Sequence, residues 1–120
     1  MRVAEMILLH AEAQTHAGGD ENRAKAVLQL LIDNRVPAGS SSYDLSGLSG
    51  QSLRDMVYLQ TRIELWGEGK SYLAMKRNRA TITRGSNHLS NAGSSYSFDA
   101  DELTFEIPEL EILNNPEISN

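Results

Sequence analysis

Glu64 and Glu68 stand four residues apart in RIELWGEGKSYLAMKR, the stretch from Arg62 to Arg77. Two carboxylates are the working groups of a glycosidase, one as acid and one as nucleophile or base, and they must face each other across a cleft. A four-residue step on a helix sets side chains next to each other, and Gly67 interrupts even that spacing. A paired-acid site, and with it a small glycoside-active enzyme, is therefore the weaker reading. Glu12 and His16 repeat the four-residue step and would form half of a metal site. No third ligand is apparent, so a solvated pair is favoured. The chain has no cysteine, which removes disulfides and thiolate metal sites. It also lacks a Ser-His-Asp arrangement, a phosphate-cradling glycine loop and an HExxH motif, and neither His10 nor His88 has an evident partner. No catalytic residue, metal ligand or cofactor is assigned.

Binding chemistry is the alternative, and aromatic rings that could stack on a sugar are its first candidates. Tyr43 and Tyr96 lie in polar loops, with Asn87 as a hydrogen-bonding neighbour in the second loop. These three are the candidate ligand residues. Trp66 ends an apolar helical row, which makes core packing its expected role; as a platform it would have to be exposed.

Four helices are predicted to position these groups. Residues 2–17 present Val3, Met6, Ile7, Leu9, Ala11 and Ala13 as a broad apolar face, with Glu5, Glu12 and His16 largely off it. Ala17-Gly18-Gly19 stops that helix. Asp20 then suits an N-cap, and Ala24, Val27, Leu28 and Leu31 stripe a second helix that ends near Val36-Pro37. So short a turn makes the two helices antiparallel. AGSSSYDLSGLSG, residues 38–50, is a polar loop. Ser49 or Ser52 caps a third helix with Leu53, Met56, Val57, Leu59, Ile63 and Trp66 as its stripe. Gly67 to Gly69 closes it, and Tyr72, Leu73 and Lys76 begin a short fourth helix with cations at its C-terminal end. A second polar loop covers 83–97, Leu103 to Ile107 alternates like one short strand, and a turn of helix precedes Asn115-Pro116. No hairpin signal is present anywhere. The class is mainly α, with antiparallel helix pairs, long polar loops and at most one short strand, and residues 1–120 read as a single domain.

The net charge of −5 argues against nucleic acid as a partner. Its distribution is uneven: Lys70 to Arg84 holds five basic residues and no acid, Asp99 to Glu117 seven acids and no base. The favoured expectation is that the two blocks compensate each other; the sharper alternative is a basic surface for an anionic ligand. At the N-terminus Glu5 and Glu12 interrupt the apolar run, so no signal peptide forms there, and no apolar run is long enough to span a bilayer.

RVAEMILLHAEA, a glycine-aspartate turn, AKAVLQLLIDNR, LQTRIELWGEGKSYLAMKR and LTFEIPELEILNNP, in this order, resemble the C-terminal part of the SusD/RagB family. RIELWGEG before a helix ending in Lys-Arg, and the terminal IPxxExxxNP, are the most specific elements. The resemblance implies a largely helical fold with tetratricopeptide-like helix pairs. It implies a non-catalytic surface lipoprotein of the Bacteroidetes outer membrane that binds a glycan, oligosaccharide or other nutrient and acts as a lid on a TonB-dependent, SusC-like transporter. The other reading, from a different class, is a helical-repeat scaffold for protein–protein interaction without sugar binding; a repeat of about 34 residues would then be expected, and no second copy is seen. Family members run to several hundred residues, with signal peptide and lipidated cysteine upstream of what is Met1 here, and with a longer terminal extension than the one ending at Asn120. The chain thus reads as a C-terminal fragment or shortened relative. An uncovered apolar face and self-association are expected of it. The Glu-Gly element would be a corner between two scaffold helices, its glycines supplying positive φ or close approach. Arg62 is expected to reach Glu5 or Glu12 as a partly buried pair. The family usually has a glutamate where Thr61 stands and an aspartate where Met75 stands, so one or two scaffold ion pairs are expected to be missing.

Overall fold

The computed structural model describes residues 2–37, 40, 43–115 and 117. Parts of the first loop, Ala38, Gly39, Ser41 and Ser42, and Pro116 of the terminal motif lie outside the described residues. The chain divides into two compact units, Met1–Asn78 and Arg79–Asn120. It is mainly α.

The first unit holds α1 (Val3–Gln14), α2 (Glu21–Asp33), α3 (Gly50–Glu64) and α4 (Ser71–Arg77). The caps are those expected. The Asp20 carboxylate accepts from the backbone N–H groups of Asn22 and Arg23 at 2.9 and 3.2 Å, satisfying donors that the first turn of α2 leaves free. Ser49 and Ser52 exchange bonds at the start of α3: the Ser49 N–H donates to Ser52 Oγ at 3.1 Å, and that hydroxyl donates to Ser49 O at 2.8 Å. Glu21 adds a cap the sequence did not suggest, accepting from Gly50 N–H at 2.8 Å.

The core joins Ala4, Leu8 and Ala11 of α1 with Leu28, Leu31 and Ile32 of α2, Val57 of α3, and Leu45 and Leu65. Two expectations are corrected here. On α1 the buried row is Ala4, Leu8, Ala11 and Glu12, whereas Val3, Met6 and Leu9 are exposed. Residues 3–9 are apolar at every position but Glu5, so hydrophobicity alone leaves the phase of the stripe open; small Ala4 and Ala11 are what let α2 approach closely. On α3, Leu53 and Val57 turn inward with Gln60 and Thr61, while Leu59, Ile63 and Trp66 form a second, exposed row. Trp66, expected in the core, is 84% exposed. The polar loop is also less polar than its composition: Leu45 is buried and Leu48 packs against the core.

Contacts at both ends of α2 and α3 fix their direction. Glu21 meets Gly50 and Arg35 meets Glu64, so the two helices run parallel, a course that only a long connection permits. Arg54 reaches Thr15 O at 3.0 Å and Arg2 reaches Glu64 O at 2.9 Å, which sets α3 antiparallel to α1. α1 and α2, joined by the short turn, form the antiparallel pair that was expected.

Between α3 and α4 the chain turns at Gly67 and Gly69, with φ of +74° and +70°. A Cβ at either position would meet nothing within 4 Å. Backbone sign, and not close approach, is therefore what requires glycine at this elbow. Gly67→Ala and Gly69→Ala are each expected to cost about 1–2 kcal/mol, measurable by urea denaturation; an unchanged midpoint for both would show that the elbow relaxes freely.

In the second unit β1 (Ile82–Thr83) and β2 (Ser95–Tyr96) pair antiparallel, Ile82 opposite Tyr96 and Thr83 opposite Ser95. Arg84 N–H to Ser94 O at 2.9 Å and Gly93 N–H to Arg84 O at 2.8 Å continue the closure. This two-stranded sheet replaces the single strand expected at Leu103 to Ile107, where residues 101–103 form a 3-10 turn and 104–108 stay out of the ladder. The hairpin closes a long polar loop, with Asn91 and Gly93 at positive φ, and so lacks the two-residue turn that marks a hairpin in sequence. α5 (Glu109–Asn114) follows Pro108 as expected. Among the described residues of this unit none is buried.

Candidate functional site

The titratable residues that looked most like chemistry are engaged in holding the first unit together. Glu64 receives Arg35 in a two-pronged contact, Nε to Oε2 at 2.8 Å and Nη2 to Oε1 at 2.6 Å. Glu68 pairs with Arg2. The two carboxylates thus serve ties to Arg35 and to Arg2 and do not form a facing pair. Glu12 turns away from His16: its carboxylate takes Arg77 Nε at 2.6 Å and Nη2 at 2.8 Å, and Asn78 Nδ2 at 3.2 Å. Its burial, against an expected exposed position, follows from that partner. Among the described residues no group of three or more His, Asp or Glu side chains is arranged to hold a metal.

Lys70 pairs with Glu5 at 3.2 Å. Glu5 and Glu12 are seven residues apart on α1, and Lys70 and Arg77 are seven apart across α4. The equal step makes α4 run alongside α1 in the same direction, held at both ends. The expectation that Arg62 serves Glu5 or Glu12 is corrected accordingly, since Arg62 lies over the Tyr58 ring at 5.7 Å. It occupies the exposed side of α3, one turn from Trp66, and the acids of α1 are taken from the other side. Lys70 and Arg77 find their acids on α1. An acid and base series at matching seven-residue spacing was the sequence signal for this latch.

Thr61 and Met75, where the resemblance led to missing ion pairs, are both buried. Thr61 Oγ1 donates to Val57 O at 2.9 Å, so its hydroxyl is satisfied within its own helix. No buried side-chain nitrogen or oxygen among the described residues lacks a partner.

Electrostatics follow the same ties. The Arg35 hydrogen bonds hold the Glu64 carboxyl below its ordinary value of 4.5 against partial desolvation, with the charges of Arg35 and Arg2 adding to the effect. The bond to Glu64 likewise raises Arg35, and Glu12 raises Arg77. Asp44 is lowered by bonds from the side chain and backbone of Ser46. A carboxyl with a depressed folded value stabilises the native state fully above its unfolded value and ceases to do so as pH falls through the folded one. Arg35→Ala is therefore expected to lower stability at pH 7, modestly because the guanidinium is exposed, by an amount that fades as the pH falls through the folded Glu64 value. Urea denaturation of variant and parent at pH 7 and in acid reads this, and a difference that grows as the pH falls would contradict it.

The candidate ligand residues fall in both units. Tyr43 is exposed, just before the Asp44–Ser46 turn of the first unit. In the second, the Tyr96 hydroxyl accepts from Asn91 Nδ2 at 3.3 Å, and exposed Asn87 lays its amide over Gly85. Arg84 Nε donates to Ser90 O at 3.0 Å, bracing the loop that carries Asn87. Trp66, set aside as a core residue, instead lines an open groove with Leu59, Arg62, Ile63 and Ser71.

Family comparison agrees with this geometry. The SusD family model matches residues 1–116, and the chain belongs to that family. A crystal structure of a SusD superfamily protein from Bacteroides vulgatus ATCC 8482 superimposes with a TM-score of 0.76 at 26% sequence identity, covering 99% of this chain and 26% of the other. The chain thus spans about a quarter of the length of that relative. No curated protein matches. No helix among the described residues is long and apolar enough to cross a membrane.

Proposed function

We propose that this chain is the C-terminal portion of a non-catalytic, glycan-binding protein of the outer membrane that acts beside a TonB-dependent, SusC-like transporter. The family match over residues 1–116 carries the reading. It is supported by the use made of the acidic residues: Glu12, Glu64 and Glu68 each meet an arginine of another element, which makes them scaffold and not acid–base machinery. α4, with Lys70 before it, and the glycine elbow are architecture in the same sense. Tyr43, Asn87 and Tyr96 remain the residues proposed to meet ligand. Retardation in affinity gels containing neutral polysaccharides, with loss of retardation on changing these three, is the direct test. Release of reducing ends from the same polysaccharides would overturn the non-catalytic reading.

A second reading has its own observation. Leu59, Ile63 and Trp66 are exposed along one side of α3, at spacings that suit packing against another helix. A scaffold without sugar binding would use that row, and would give a protein complex but no gel retardation.

A further inference from the structure

α4 does not close fully onto α1. Between them lies a cavity of ≈ 170 Å³ lined by Leu8, Leu9, Leu65, Leu73 and Ala74, with Thr61 beside them. The Glu5–Lys70 and Glu12–Arg77 pairs stand at its two ends. Leu8, Leu65 and Ala74 are buried, whereas Leu9 and Leu73 are exposed, so the cavity opens to solvent between the last two.

We infer that this cavity is a binding site for a small apolar group of about one aromatic ring. The size fits: an apolar cavity of ~150 Å³ in a protein interior accepts benzene or xenon. The lining fits as well. A water molecule, or a sugar hydroxyl, needs two or more polar partners to replace those of bulk water. Here Thr61 Oγ1 is bonded to Val57 O, and the four charged side chains at the ends are paired with one another. Between the two ion pairs the wall is aliphatic, so an occupant there gains by displacing solvent from leucine. The latch contributes rigidity: α4 is held two turns apart at both ends, so the space is kept open without cost to the ligand. This site is separate from the glycan reading and does not depend on it.

The test is a titration of the 120-residue chain with benzene, followed by thermal unfolding and by methyl NMR. The expected result is a saturable rise in Tm with chemical-shift changes confined to Leu8, Leu9, Leu65, Leu73 and Ala74. Ala74→Leu, which fills the cavity, and Leu73→Phe, which covers its mouth from an exposed position, are both expected to abolish the rise. Absence of any rise overturns the assignment. So does a rise that persists in both variants, or shift changes centred on Leu59, Ile63 and Trp66, which would mean adsorption to the exposed row of α3.

Discussion

Leu8→Ala is expected to cost about 3 kcal/mol, the range for deleting a fully buried leucine whose neighbours relax only partly. Leu8 is 1% exposed and sits where α1, α2 and α3 meet; Leu9, its neighbour in sequence, is 42% exposed. Leu9→Ala should therefore cost less than about 1 kcal/mol, because little of that side chain is withdrawn from water. Chemical denaturation of the two variants at pH 7 compares them. Equal losses would mean that α1 is rotated about its axis relative to this structure, and the whole α1–α2 interface would need to be redrawn.

Arg77→Met carries the second large effect, a loss of about 2 kcal/mol. Removing one partner of a buried ion pair is costly chiefly because the other charge is left behind. The Glu12 side chain keeps only 8% of its surface in contact with solvent, whereas Arg77 keeps 43%, so the expected loss lies below the range for a fully buried pair. Adding Glu12→Gln to Arg77→Met should recover at least half of the loss, since a neutral amide of the same size no longer needs the cation. A double variant as unstable as Arg77→Met alone would show that packing of the arginine stem, and not the stranded carboxylate, dominates.

These two sites also mark where sequence reasoning worked and where it stopped. Helix ends were legible because capping chemistry is local: Asp20 and Ser49 act within three residues of themselves, and the left-handed glycines of the elbow can be replaced by few other residues. The family, too, was legible, since its motifs are strung along the chain in order. The buried row of α1 was not, because Val3 to Leu9 offers apolar side chains all the way round and only the approach of α2 selects among them. The partner of Glu12 was missed for a related reason. Arg62 and Arg77 are chemically equal, and the choice between them depends on which side of the elbow faces α1. Trp66 was placed in the core by a periodicity that is real but belongs to a second row, Leu59, Ile63 and Trp66, which this chain leaves bare. The hairpin escaped because its loop is long, so the pairing of Ile82 with Tyr96 is a tertiary fact and not a turn signal. Among the candidate ligand residues, Tyr43 and Asn87 are exposed in loops as expected, whereas Tyr96, expected in a polar loop, stands half-buried in β2 because the loop closes into a hairpin.

The seven-residue length of α4 has a consequence for motion. Two helical turns are too few to persist in water unaided, so Ser71–Arg77 is helical only while it packs against α3 and is latched to α1. Its amides should then exchange with solvent through a local opening well before those of Leu28 or Val57, which require the unit to come apart. Anything that occupies the space beneath it would slow that exchange, and anything that strips Lys70 or Arg77 of its acid would hasten it.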